Sequence, residues 1–195
     1  ALAFVEEMDE AVLFYKVGLE LFSSAGPSIV KQLKSFDKKV FLDLKFHDIP
    51  ATVAAASARA VELGVDMFNL HALGGIAMMR AAAASARETA ERGGLEPPTL
   101  LAVTVLTSLD IRTLQEEIGI SLTNLRSFVV EKARQAQEAG LNGVVASAQE
   151  AADIRSACGE EFCIVTPGIR PAWTSPDDQR RITTPSEALS LGVDH

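Results

Sequence analysis

The chain has 195 residues, 48% of them apolar, and a net charge of −8. That length fits one well-packed core and leaves little room for a second domain. The acidic balance argues against a general nucleic-acid or anionic-membrane binder, although a local Lys/Arg cluster can still hold an anionic small molecule.

Residues 1–10 read as an amphipathic helix. The first strand is Phe14-Tyr15-Lys16-Val17-Gly18, followed by a helix over 26–36. A second strand covers 39–45, and Pro50 suits the first turn of the alanine-rich helix after it. Met67-Phe68-Asn69-Leu70-His71 is the third strand, and its long helix stops near Gly93-Gly94. The fourth strand spans 99–106, then come a polar segment (110–119) and a helix over 124–139. Strands at 143–147 and 162–168 flank a helix ending near Ala157. A polar stretch, 170–181, leads to a short helix over 185–191. No apolar run approaches a membrane span, no signal peptide is visible, and a cytoplasmic protein is expected. Cys158 and Cys163 make no disulfide framework and no zinc spacing, so they read as free thiols.

Strand and helix alternate throughout, which predicts a parallel sheet rather than hairpins. Leu63-Gly64-Val65-Asp66, Ala139-Gly140-Leu141-Asn142 and Leu191-Gly192-Val193-Asp194 form a weak repeat. In each copy a helix stops at glycine, a natural residue just past a helix end. The third copy is followed only by His195, and the opening helix lacks a preceding strand. One more strand at each end would give the eight of a (β/α)8 TIM barrel. The expectation is therefore an α/β chain forming a single (β/α) barrel domain over 1–195, truncated at both ends. A doubly wound open sheet is the structural alternative, weakened because no G-x-G-x-x-G follows a strand.

The second strand ends unusually. Side chains alternate, so Asp43 and Lys45 share one face, with Leu42 and Leu44 on the other. In a barrel the charged pair would point inward near the carboxyl end, where barrel enzymes place their chemistry. Lys16 lies on the neighbouring strand and Asp48 just past the strand end. Two lysines and two aspartates alternating in sign can all remain ionised. An ion-pair network with Asp48 capping the helix at Pro50 fits the same residues, and on residue types alone it is slightly the better reading.

The run Asp43-Leu44-Lys45-Phe46-His47-Asp48-Ile49-Pro50-Ala51-Thr52 resembles the D-x-K-x-x-D-I-P-x-T signature of orotidine 5′-phosphate decarboxylases. Tyr15-Lys16-Val17-Gly18, Val103-Thr104-Val105-Leu106-Thr107-Ser108, Thr166-Pro167-Gly168-Ile169-Arg170-Pro171 and Asp178-Gln179-Arg180-Arg181 are similar to other segments of that family. The resemblance implies cofactor-free, metal-free conversion of orotidine 5′-monophosphate to uridine 5′-monophosphate. By it, Lys45 is the proton donor, Asp43 sits beside the substrate carboxylate, and Lys16 completes the array and contacts the ribose. Asp48 and Thr52 reach the partner's site in a homodimer. Thr107 and Ser108 face the pyrimidine, and Arg170 and Gln179 bind the phosphate side. The family's first-strand aspartate and last-strand Gly-Arg pair are absent from these residues.

Two rivals remain. Magnesium-dependent sugar-phosphate decarboxylases and hexulose-phosphate synthases share D-x-K-x-x-D, but they carry an acid in place of Lys16 and lack D-I-P-x-T. A non-catalytic, phosphate-ligand-binding barrel is the other. His47 and His71 lack the surrounding carboxylates of a metal site. Met78 and Met79 read as packing residues, and Trp173 as an exposed loop aromatic.

Overall fold

A computed structural model describes residues 1–171 and 183–195. In chain order, α1 (Leu2–Met8) leads to β1 (Phe14–Gly18), α2 (Leu19–Ala25), α3 (Ser28–Ser35), β2 (Lys39–Phe46), α4 (Pro50–Glu62), β3 (Met67–His71) and α5 (Ile76–Gly93). Then follow β4 (Thr99–Val103), α6 (Ile111–Glu116), α7 (Leu125–Glu138), β5 (Gly143–Val145), α8 (Ala148–Cys158), β6 (Cys163–Val165) and α9 (Pro185–Ser190).

Each strand pairs in parallel with the next, in the order β1-β2-β3-β4-β5-β6. A doubly wound sheet must reverse its order at a switch point, and this one does not. The sheet also curls: the ring of Phe14 on β1 meets His195 edge-on, with centroids 6.1 Å apart. The architecture is a (β/α) barrel wall with helices outside, and the described residues supply six strands where a full barrel has eight.

Strand alternation separates two apolar layers. Val17, Leu42, Phe68, Leu70, Leu100, Ala102, Val144 and Ile164 face the helices and join Val53, Met78, Met79, Ala82, Ala133 and Ile154. Phe41, Met67 and Leu101 face the concave side with Phe14, Val145, Cys163 and Val165. Each fully buried side chain such as Phe68 or Met78 contributes roughly 1.5–3 kcal/mol. The alanine-rich α4 packs on α5, where the Ser85 hydroxyl donates to the Ala54 carbonyl at 2.8 Å.

The repeat has one structural job. Asp66, Asn142 and Asp194 each accept, on a side-chain oxygen, the backbone N–H of the preceding strand: Val40 at 2.7 Å, Leu100 at 2.8 Å and Ile164 at 2.7 Å. Each also donates its own N–H to the same residue's carbonyl, at 3.0, 2.9 and 3.0 Å. The side chain thus satisfies a strand-entry donor that would otherwise lack a partner. Lys34 reinforces Asp66 and Arg155 reinforces Asp194. The third copy also lies against the end of β6, where the Thr166 N–H donates to the His195 carbonyl at 2.8 Å.

Several boundaries differ from the sequence reading. The helix expected over 26–36 is α3, and a further helix not expected from the sequence, α2, precedes it, the two being separated at Gly26 (φ 62) and Pro27. The polar segment 110–119 contains α6, capped by the Asp110 side chain on Thr113 N–H. Strands β4, β5 and β6 end earlier than the apolar runs because those runs continue into the loops above them.

Candidate active site

Asp43 is the centre of the site. Its Oδ1 accepts Lys45 Nζ at 2.6 Å and Asn69 Nδ2 at 2.7 Å, and its Oδ2 lies 3.1 Å from Lys16 Nζ. The three charged residues come from β1 and β2, as strand alternation requires, with both ammoniums on one carboxylate. Burial pushes the Asp43 carboxyl up, but it is outweighed by the hydrogen bonds from Lys45 and Asn69, the Lys45 charge and the Lys16 contact. The carboxyl is held below its ordinary value and stays ionised at neutral pH. Gly18 makes room for this arrangement: a Cβ there would sit 3.1 Å from Lys16 Nζ.

The backbone around Lys45 is irregular. β2 and β3 stay in register at Leu42↔Phe68, then shift so that Phe46 faces Leu70, with extra β2 residues between. Lys45 has φ 54, a left-handed conformation that costs an L-residue about 1–2 kcal/mol. Its N–H, turned out of the ladder, donates to Asn69 Oδ1 at 2.8 Å. Asn69 is 1% exposed and received no role from the sequence. The available signal was one amide in a strand that is otherwise apolar up to His71.

The other expected residues are dispersed. Asp48 makes no ion pair among the described residues; its Oδ1 accepts the Ile49 N–H at 2.6 Å. It does not cap α4, whose N-cap is Ile49 with no side-chain bond. Asp48, Ile49 and Thr52 are all exposed at the β2–α4 junction. Thr107 and Ser108 form the turn beyond β4. Arg170 lies beyond β6, its N–H bonded to the Thr183 carbonyl at 3.0 Å and its Nη1 donating to the Ile169 carbonyl at 3.0 Å. Gln179, Trp173, Arg180 and Arg181 fall outside the described residues. His47 and His71 rings stand 5.3 Å apart. Burial, then the His47 and Lys45 charges, lower the His71 pKa against the opposing pull of Asp43. Burial pushes the Cys163 thiol up to about 11, so it stays protonated at neutral pH.

Two hollows bear on where chemistry occurs. A cavity of about 130 Å³ on the concave face is lined by Phe14, Lys16, Phe41, Met67 and His195 among others, directly below the charged cluster. A larger one of about 320 Å³, around Arg87, Pro97 and Asn142, lies at the amino ends of β4 and β5 and has no acid in its wall. Among the described residues no group of three His, Cys, Asp or Glu side chains is placed to hold a metal, and no helix is long and apolar enough to cross a membrane.

Interleaved ammonium and carboxylate groups at the carboxyl ends of sequential parallel strands define a (β/α) barrel enzyme with a charge-built site. All of residues 1–195 match the model of the orotidine 5′-phosphate decarboxylase / HUMPS family, and the chain belongs to that family. It is 51% identical over 194 residues to the orotidine 5′-phosphate decarboxylase of Syntrophomonas wolfei subsp. wolfei, covering 100% of this chain and 81% of that one. Its fold is similar to that of an uncharacterized conserved protein from Geobacillus kaustophilus (TM-score 0.85, 41% identity, 99% of this chain and 81% of that one). It is also similar to orotidine 5′-phosphate decarboxylase from Lactobacillus acidophilus (TM-score 0.80, 37% identity, 91% and 74%).

Proposed function

We propose that this protein is a carboxy-lyase that converts orotidine 5′-monophosphate to uridine 5′-monophosphate, a step of pyrimidine nucleotide biosynthesis. The observation that carries the reading is the Asp43 carboxylate fixed between the Lys45 and Lys16 ammoniums, in a chain about half identical to proteins named for that reaction.

The chemistry follows from the charges. When the bond between the pyrimidine ring and its carboxylate breaks, carbon dioxide leaves and the electron pair remains on the ring carbon. The Lys45 ammonium stabilises that negative charge, then delivers its proton to the carbon, and solvent reprotonates the amine. Asp43 has two parts in this scheme. It holds Lys45 in place by a 2.6 Å bond, and its negative charge stands beside the substrate carboxylate, favouring departure of that group as neutral carbon dioxide. Lys16 balances Asp43 and contacts the ribose. Thr107 and Ser108 face the pyrimidine, while Arg170 and Gln179 bind the phosphate, whose binding energy organises the site at a distance from the reacting carbon.

The working unit is a cytoplasmic homodimer of single barrel domains. Asp48 and Thr52 are exposed beside Ile49, itself 66% exposed, and they reach across to complete the partner's array. The scheme uses no metal and no organic cofactor.

The test is direct. The intact protein is incubated with orotidine 5′-monophosphate and a chelator, and loss of substrate absorbance is followed. Conversion to uridine 5′-monophosphate undiminished by chelation is expected. Turnover of a hexulose phosphate that requires magnesium, with orotidine 5′-monophosphate untouched, would overturn the assignment.

A further inference from the structure

We propose that Asn69 is a positioning residue for Lys45, setting the backbone that carries the proton donor and the carboxylate that orients it with one buried carboxamide. The inference rests on the decarboxylase reading and extends it to a residue on the neighbouring strand.

The geometry is specific. Asn69 Oδ1 accepts the Lys45 N–H at 2.8 Å, and Asn69 Nδ2 donates to Asp43 Oδ1 at 2.7 Å. The same Asp43 oxygen accepts Lys45 Nζ at 2.6 Å. An N–H can only donate and a carboxylate only accept, so the orientation of the amide is fixed by chemistry. A donor and an acceptor on one short planar group are both needed. Leucine offers neither, and an ionised aspartate offers only acceptors. Lys45 also needs the restraint. Its left-handed φ of 54 falls at the register shift between β2 and β3, where the ladder supplies no regular partner for its N–H. Asn69 is 1% exposed, so it acts through Lys45 and Asp43 rather than on a ligand.

The experiment compares steady-state decarboxylation by the intact wild-type protein, Asn69→Ala and Asn69→Asp across pH, with thermal melts confirming that each folds. In Asn69→Ala both bonds vanish, and kcat is expected to fall on the order of 10²-fold with a much smaller change in KM. Asn69→Asp keeps the shape. While the introduced carboxyl is protonated it reproduces the donor–acceptor pair; once ionised it faces Asp43 Oδ1 and repels it. Its kcat is therefore expected to decline with rising pH along a limb that the wild type lacks. A role confined to filling the core predicts no such limb. Wild-type kcat in Asn69→Ala, or an Asn69→Asp profile parallel to the wild type, overturns the assignment while leaving the decarboxylase reading intact. A wild-type protein that folds but does not turn over orotidine 5′-monophosphate overturns both.

Discussion

Lys45 carries a backbone cost that can be measured apart from its chemistry. Its φ of 54 is a conformation that glycine adopts freely and alanine does not. Lys45→Ala and Lys45→Gly lose the same ammonium and the same 2.6 Å ion pair to Asp43, and both keep the N–H that Asn69 accepts. The difference between them is the backbone alone. Relief of left-handed strain favours glycine by about 1–2 kcal/mol. The greater freedom of glycine in the unfolded chain disfavours it by roughly 0.5–1 kcal/mol. At the middle of each range the net expectation is that Lys45→Gly is the more stable by about 0.75 kcal/mol, reversing the usual ranking within a strand. For a domain of this size that is about 1.5–3 °C in Tm. Urea unfolding followed by circular dichroism, with thermal melts alongside, reads it. A Lys45→Gly protein no more stable than Lys45→Ala would refute the left-handed backbone at this position and the strain argument with it.

Two other outcomes are expected. If Asp48 completes the partner's site, inactive Lys45→Ala and Asp48→Ala proteins mixed and allowed to exchange subunits should recover activity approaching about a quarter of wild type, because random pairing gives half hybrids with one intact site each; no recovery despite demonstrated exchange would exclude a shared site. His71 has its pKa lowered by burial and by the charges of His47 and Lys45. The unfolded chain therefore binds the extra proton first, and stability should fall as pH drops below about 6.5 towards the lower folded value. Replacing His71 with Gln should flatten the pH dependence of Tm in that window, and an unchanged slope would remove His71 as its source.

The charged face and the barrel were legible in the sequence for physical reasons. Two-residue periodicity put Asp43 and Lys45 on one side of β2 and Leu42 on the other, and the Gly-x-Asp/Asn repeat marked the helix-to-strand junctions that Asp66, Asn142 and Asp194 now secure. What stayed hidden depends on contacts between strands. The left-handed φ at Lys45 has no sequence mark, since the residue is not glycine and the strain is held by Asn69 on β3. Asn69 itself reads as one polar residue in a strand until its two partners are seen together. The break at Gly26-Pro27 was readable from the residue types, but the polar character of 110–119 masked α6, which buries only Leu114.

The most direct test of the account is the turnover of Lys45→Ala, with uridine 5′-monophosphate binding and thermal stability measured on the same preparation. A loss on the order of 10⁴-fold in kcat is predicted, with the fold and nucleotide binding retained, because under the proposed mechanism the variant would lack both the charge that stabilises the ring carbanion and the proton that quenches it. Turnover near that of the wild type would show that another group supplies the proton, and the central assignment would be wrong.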